Sequence, residues 1–417
     1  MGRNILASRW KELPEEDIWY PSSRMRKRIK FDASARVRAE KAGKKVIVLQ
    51  GADVNKWGFI NPAMLEIMIQ TVKEQAKIDK YQKWEEFRER ARNYEKEYRG
   101  VDYSLEDVTI TAGVGGGLRI IHDFILDPGD EIVAPDPSFY QWAPRSQMRF
   151  FKSKAIGFRI DETIEWKPDL EDFRAKISPK TKAIYIDHPG NPTGAVYDVK
   201  TLRGIVDIAG EYDLPIIADE IYGVMTYDGI EAKTFASIAR DVPVIMLNST
   251  AKFFMRPGWH LGWMCFHDPQ GKIAELKKLV NEIGPVHGFY LRKIPTIILI
   301  AGCEIFQFVE EGREMMKQLQ TRRDFFWKRL NEIEGASCTK PMGTIYAFPR
   351  IEGIGKIWKT TEDFMIELFE EEAITFLPGP AFGKLGFGHF RTLLLPPIEV
   401  QEEVYGRLER FLKRHQA

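Results

Sequence analysis

The chain has 417 residues, more than one hydrophobic core usually serves, which predicts one large domain and a smaller one. Its 61 lysines and arginines balance 60 aspartates and glutamates, so no net field exists to hold a polyanion. The content, 44% hydrophobic and 29% charged, is that of a soluble globular chain without an apolar run of bilayer length, which predicts a cytoplasmic protein.

The opening M-G-R-N-I-L-A-S-R-W has no apolar segment of signal-peptide length, and the basic cluster Arg24–Arg28 reads as solvated surface. Val46–Leu49 (V-I-V-L) predicts a short buried strand, and the spacing of Met64–Lys77 predicts a helix. Asp107 leads into a strand, V-T-I-T, then A-G-V-G-G-G and the helical pattern L-R-I-I-H-D-F-I-L. A D-P-G-D turn at Asp127–Asp130 precedes the strand E-I-V-A-P. Similar apolar runs recur at Ala183–Ile186, Pro215–Ala218, Val244–Leu247 and Trp263–Phe266, with helical segments such as Lys200–Tyr212 between several of them. This alternation predicts a mainly parallel α/β sheet covered on both faces. Beyond about residue 300 the pattern changes: a long charged helix over Cys303–Ile333, a strand-rich piece (T-I-Y-A-F-P), and a last helix ending at Lys413. The cysteines Cys265, Cys303 and Cys338 form no C-x-x-C pair and suggest neither a zinc site nor a disulfide framework.

Ligands of parallel sheets bind beyond the carboxyl ends of the strands, so the residues following each apolar run are the candidates. After V-T-I-T come Gly113, Val114, Gly115, Gly116 and Gly117, a glycine-rich stretch before a helix that suits a phosphate, with a tight turn as the plain alternative. After A-I-Y-I stands D-H-P-G-N-P-T-G with Asn191, which also reads as a turn. Asp219 and Tyr222 follow P-I-I-A, and a strand-end acid is costly to desolvate unless a cation meets it. Asn248, Ser249 and the apolar-flanked Lys252 follow V-I-M-L, and desolvation suits a lysine to covalent chemistry with carbonyls. A phosphate cradle, an acid and such a lysine are the set that pyridoxal phosphate requires.

The ordered motifs D-P-G-D-E-I, N-P-T-G-A-V-Y, I-I-A-D-E-I-Y-G, P-G-W-x-L-G-W, G-T-I-Y-A-F-P and F-L-P-G-P-A-F-G…G-H-F-R-T-L-L-L-P-P-I-E make the chain resemble the class I/II, fold-type-I pyridoxal-phosphate aminotransferases, above all the archaeal-type alanine aminotransferases. The resemblance spans nearly the whole chain. It implies a large α/β domain over residues 61–302 with a seven-stranded sheet, a small domain from residues 1–60 and 303–417, and a homodimer acting on an amino acid and a 2-oxo acid. It also implies residue roles. Lys252 bonds to the cofactor aldehyde and shuttles the proton, Asp219 holds the pyridine nitrogen protonated, and Tyr222 and Asn191 meet the phenolic oxygen. Phe139 stacks on the ring, Val114, Gly115 and Ser249 hold the phosphate, and Arg391 and Gly51 meet the substrate carboxylate, with Asn191 beside them.

Three departures from the family pattern stand out. His260 replaces an arginine that contacts the cofactor phosphate, so His260 is expected beside the phosphate, with Arg256 as the rival ligand. The segment Y-Q-K-W-E-E-F-R lacks the family's glycine, although Tyr81 still matches the tyrosine that reaches the partner subunit's phosphate. Arg292 and Lys293 stand where relatives carry small and amide residues, and they are expected to face water. The altered phosphate residue and the shortened Tyr81 segment leave room for a lyase, decarboxylase or oxidative reaction with the same cofactor, and a non-catalytic cofactor-binding protein is the lesser alternative.

Overall fold

The computed structural model describes residues 37, 39–51, 54–59, 61–74, 80–142, 151–282 and 294–415. Strand β1 (Ile47–Val48) precedes helices α1 (Pro62–Glu74) and α2 (Lys80–Arg99). Strands and helices then alternate as β2 (Val108–Thr111), α3 (Gly113–Ile125), β3 (Glu131–Asp136), α4 (Phe139–Trp142), β4 (Lys154–Arg159), α5 (Leu170–Lys176), β5 (Thr181–Asp187), α6 (Val199–Glu211) and β6 (Ile216–Asp219). Strands β7 (Val244–Ser249) and β8 (Gly262–His267) complete the series, and α7 (Ala274–Glu282), α8 (Thr296–Glu304) and α9 (Val309–Asn331) follow. The chain ends with β9 (Ala336–Ser337), β10 (Tyr346–Ala347), β11 (Arg350–Ile351), α10 (Thr361–Glu372), β12 (Ile374–Thr375), β13 (Leu377–Pro378), β14 (Phe390–Leu393) and α11 (Ile398–His415).

One seven-stranded sheet runs β2-β8-β7-β6-β5-β3-β4. All of its pairings are parallel except those of β8, which is antiparallel to both neighbours. The W-M-C-F run looks like its parallel neighbours because burial on both faces, not direction, makes a strand continuously apolar. Side chains alternate between two cores, as the two-residue period requires. Ile184, Ile186, Ile216, Ala218 and Val244 pack with Leu202 and Ile205 of α6 on one face. Ala183, Tyr185, Ile217, Ile245 and Leu247 pack with Leu118 and Ile121 of α3 on the other. Helix α6 starts where the Asp198 carboxylate accepts the Thr201 N–H at 2.8 Å, and it buries Leu202, Ile205, Val206 and Ala209 at helical spacing. Truncating Leu202 to alanine there costs about 2–5 kcal/mol.

The expected single helix over Cys303–Ile333 is broken. Helix α8 ends at Glu304, a 3₁₀ turn spans Ile305–Phe308, and α9 starts at Val309. In a 3₁₀ turn residues three apart share a face, which lets Ile305 and Phe308 both enter the core. The chain ends meet in a smaller assembly: β1 pairs parallel with β12, Ile47 opposite Ile374, and β14 pairs antiparallel with β10 and β13.

Candidate active site

Strands β5 and β6 end level, with Asp187 opposite Asp219. Asp219 is buried, and its carboxylate accepts the Tyr185 hydroxyl at 2.9 Å and the Ile221 N–H at 3.3 Å. Burial pushes this carboxyl up to about 6, against the hydrogen bonds and the attraction of Lys252. Asp187 was not singled out in the sequence, because an acid after an apolar run reads there as part of a turn. Its carboxylate accepts the Asn191 N–H at 2.8 Å and the Phe139 N–H, so it fixes two residues proposed for the cofactor ring. Burial pushes Asp187 up to about 7, the Asn191 bond resists, and neighbouring Asp219 adds to the rise.

Lys252 projects from a tight loop after β7, closed by the Met255 N–H to the Lys252 carbonyl and the Arg256 N–H to the Thr250 carbonyl, both at 3.0 Å. Its Nζ lies 3.3 Å from the Tyr346 hydroxyl and 5.9 Å from the centre of the Tyr222 ring. Arg391, on β14, is buried. Its Nη2 donates to the Gln50 carbonyl at 2.8 Å and its Nη1 to the Asn191 side chain at 3.2 Å. The guanidinium lies 4.0 Å over the Tyr346 ring. Gly51 follows Gln50, and a Cβ at Gly51 would meet nothing within 4 Å, so the chain's own packing does not demand glycine there. Tyr346, like Asp187, is not singled out by the sequence. Its signal was the quoted G-T-I-Y-A-F-P, in which the tyrosine reads as one more apolar strand position.

The glycine-rich stretch is not a loop before a helix. Gly113, Val114 and Gly115 form the first turn of α3, and the capping residue Ala112 offers no side-chain bond to it. That turn presents backbone N–H groups and a partial positive charge, which suits an anion. Gly262 sets how close the turn lies to β7: a Cβ there would come within 2.6 Å of the Asn248 carbonyl, 2.9 Å of Gly113 Cα and 3.0 Å of Ser249 Cβ. Behind this contact Glu95 of α2 accepts the Asn248 amide at 3.0 Å and the Trp263 indole at 2.8 Å. His260, two residues before Gly262, is exposed and left-handed at φ 48°. Arg256 is buried, with its Nη1 donating to the Met255 carbonyl at 2.8 Å, and it lines a cavity of about 320 Å³ together with Phe59, Met64, Phe253 and Phe308. Phe139 opens α4 and is half-buried. Tyr81 lies in α2, with its side chain outside the described residues, as are Arg292 and Lys293.

Pyridoxal phosphate fits these groups. An anion-binding helix turn, a buried acid on a strand end and a primary amine suit its phosphate, its ring nitrogen and its aldehyde respectively.

The family described as aminotransferase class I and II matches residues 57–402. Alanine aminotransferase from Pyrococcus furiosus superposes with a TM-score of 0.86 at 37% identity, covering 98% of this chain and 100% of that one. Glutamate-pyruvate aminotransferase of Escherichia coli K12 is 31% identical over 385 residues, 90% of this chain and 92% of the relative. Aspartate aminotransferase of Pyrococcus horikoshii is 31% identical over 331 residues, 79% of this chain and 81% of the relative. Likeness of this breadth upholds the expectation drawn from the motifs: the chain belongs to the class I and II aminotransferases, fold-type-I enzymes that use pyridoxal phosphate to transfer amino groups.

Proposed function

We propose that this enzyme moves an amino group between an α-amino acid and a 2-oxo acid at a site built on Lys252, Asp219 and Arg391. The observation that carries the reading is the approach of Lys252 and Arg391 to one tyrosine: Tyr346 Oη is 3.3 Å from the lysine Nζ, and its ring is 4.0 Å from the guanidinium. A substrate whose carboxylate is held by Arg391 then has its α-carbon near the lysine. Bound pyridoxal phosphate supplies an aldehyde that takes amines and a ring that withdraws electrons.

The chain's own groups do the rest. Asp219 holds a proton on the ring nitrogen. Tyr222 and Asn191 donate hydrogen bonds to the phenolic oxygen, and Phe139 covers a ring face. Val114, Gly115, Ser249 and His260 bind the phosphate. Arg391 takes the substrate carboxylate in two parallel bonds, with Gly51 and Asn191 beside it. Lys252 then removes and returns the proton at the substrate's α-carbon.

The same reading takes residues 61–302 as the large domain and residues 1–60 with 303–417 as the small one. It also takes the enzyme as a homodimer, with Tyr81 reaching the partner's phosphate. In support, α1 packs on α8 while Leu65, Ile69 and Val72 stand about half exposed at 51%, 49% and 50%, an apolar stripe at helical spacing that a second copy would cover. A cytoplasmic location suits three buried free cysteines. The names of the relatives make alanine, aspartate and glutamate the first amino acids to try, and pyruvate the first 2-oxo acid. A panel of amino acids is added singly to the loaded enzyme while cofactor absorbance is followed. The expected result is conversion to the amine form by some amino acids and its reversal by a 2-oxo acid. Product formation without that reversible conversion would sink the reading in favour of a lyase or decarboxylase.

A further inference from the structure

We propose that Tyr346 is a catalytic group of this enzyme: its oxygen, in contact with the Lys252 nitrogen, takes the lysine's proton as phenolate and gives it back as phenol. The proposal rests on the reading of Lys252 as the reacting amine. A charged lysine can neither attack a carbonyl nor accept a proton, so it needs a nearby group that accepts its proton and returns it. Tyr346 Oη stands at 3.3 Å from Lys252 Nζ.

The tyrosine is locked in place. Strand β10 pairs with β14, Tyr346 opposite Leu393. The Tyr346 N–H donates to the Thr344 hydroxyl at 3.0 Å, and the Thr344 N–H donates to the Met225 carbonyl at 2.9 Å. Thr344 holds a left-handed φ of 66°, and a Cβ on neighbouring Gly343 would come within 2.9 Å of the same Met225 carbonyl, so the turn that aims the ring has no slack. The Tyr222 ring meets it edge-on with centres 6.0 Å apart, and Arg391 covers its face. Tyr346 is only 3% exposed, so the amine rather than bulk water is its exchange partner.

The ionisable groups facing the phenol are Lys252 from the loop after β7, Arg391 from β14 and Tyr222 from the turn after β6. Burial alone would raise the phenol, but in the cofactor-free chain Lys252, then Arg391, and the hydrogen bonds from Tyr222 and Lys252 draw it down to about 8. The neighbouring Tyr222 moves the other way, raised by burial and by Tyr346, and stays a donor. Two adjacent tyrosines pushed apart in this way take separate roles. The step balances without another reactant. Lys252 ammonium and Tyr346 phenolate become amine and phenol: one N–H bond breaks, its electron pair stays on nitrogen, and one O–H bond forms. The reverse recharges the lysine.

The test compares wild type, Tyr346→Phe and an enzyme carrying 3-fluorotyrosine at position 346, which keeps the ring and lowers the phenol's pKa. In cofactor-free protein, ultraviolet titration of phenolate should show a tyrosine ionising near pH 8 that Tyr346→Phe lacks. The loaded Tyr346→Phe enzyme should keep its Lys252-bound cofactor absorbance and its substrate KM within about twofold, while kcat falls roughly a hundred- to ten-thousandfold, the usual scale for a lost acid–base group. The fluorinated enzyme should retain turnover, with the pH midpoint of kcat displaced downward in step with its phenol. An unchanged phenolate titration, a kcat within about twofold of wild type, or a rise in KM at unchanged kcat would overturn the proposal. The last of these would make Tyr346 a mere shelf for Arg391. If Lys252→Ala turns over like wild type, the reading of Lys252 itself falls, and the proposal falls with it.

Discussion

Asp187 and Asp219 end neighbouring strands side by side, and both are buried. Their electrostatics make a stability claim whose sign can be worked out. Asp187 rises from an ordinary 3.8 to about 7 in the folded chain, with burial as the main cause. Between those values the folded chain keeps a proton that the unfolded chain has released, so stability falls as pH climbs from about 4 to about 7. Asp187→Asn keeps an oxygen for the Asn191 N–H and removes the charge. The cofactor-free variant should match wild type at or below about pH 4 and gain about 2–4 kcal/mol at pH 8, read from urea unfolding at both pH values. A loss at pH 8 would show that the ionised carboxylate is needed by its N–H partners. At the phosphate end, His260→Arg places a permanently charged, longer donor at the exposed position beside Gly262. It should slow cofactor dissociation about five- to tenfold, from one added charge-assisted bond of about 1–1.5 kcal/mol. Arg256→Ala should leave dissociation unchanged, because the cavity that Arg256 lines contains none of the residues proposed for the cofactor. The opposite pair of results would make Arg256 the phosphate ligand.

The proposed anion site is an alignment of elements more than a set of side chains. Helix α3 must start against the end of β7, and Gly262 of β8 lets it. Gly262→Ala brings a Cβ to 2.6 Å from the Asn248 carbonyl and 2.9 Å from Gly113 Cα, both backbone atoms that cannot swing aside. The helix start should shift, with cofactor affinity falling at least about tenfold and stability by about 1–3 kcal/mol, the usual cost of overpacking. Equilibrium dialysis and thermal melting read the two effects, and wild-type affinity in the variant would refute the alignment argument. The strand ends were legible in the sequence because Asp219, Asn191, Ser249 and Lys252 each follow an apolar run, and polarity placed directly after burial is a local signal. Strand β4 was not read, since Lys154–Arg159 carries only one fully buried residue and charged ends. The two-residue strands β9, β11, β12 and β13 are too short to show a period. Tyr346 escaped for a different reason: its meaning lies in two partners, Lys252 and Arg391, that only the folded chain brings to it.

The proposed substrate end of the site is assembled from three distant parts of the chain. Gln50 comes from just after β1, Asn191 from the turn after β5, and Arg391 from β14 near the C-terminus. The β1–β12 pairing delivers Gln50 to Thr375, whose hydroxyl accepts the Gln50 amide at 3.0 Å. The Gln50 carbonyl is then aimed at Arg391, so the guanidinium is oriented before any ligand arrives, and preorganisation of this kind lowers the ordering cost of binding. Burial weakens the hold of the guanidinium on its proton, and a carboxylate that pairs with it relieves that cost. Arg391→Ala should therefore raise the KM for the amino acid and for the 2-oxo acid alike, since both present a carboxylate to the same group. The rise should be roughly tenfold to a hundredfold, matching a charge-assisted pair of about 1.5–3 kcal/mol. Arg391→Lys should not restore it, because a single ammonium cannot satisfy the Gln50 carbonyl, the Asn191 side chain and a two-pronged carboxylate together. Cofactor absorbance should persist in both variants, which separates lost substrate binding from lost cofactor. Unchanged KM for both substrates would place the carboxylate elsewhere and remove the reason for three parts of the chain to converge on this arginine.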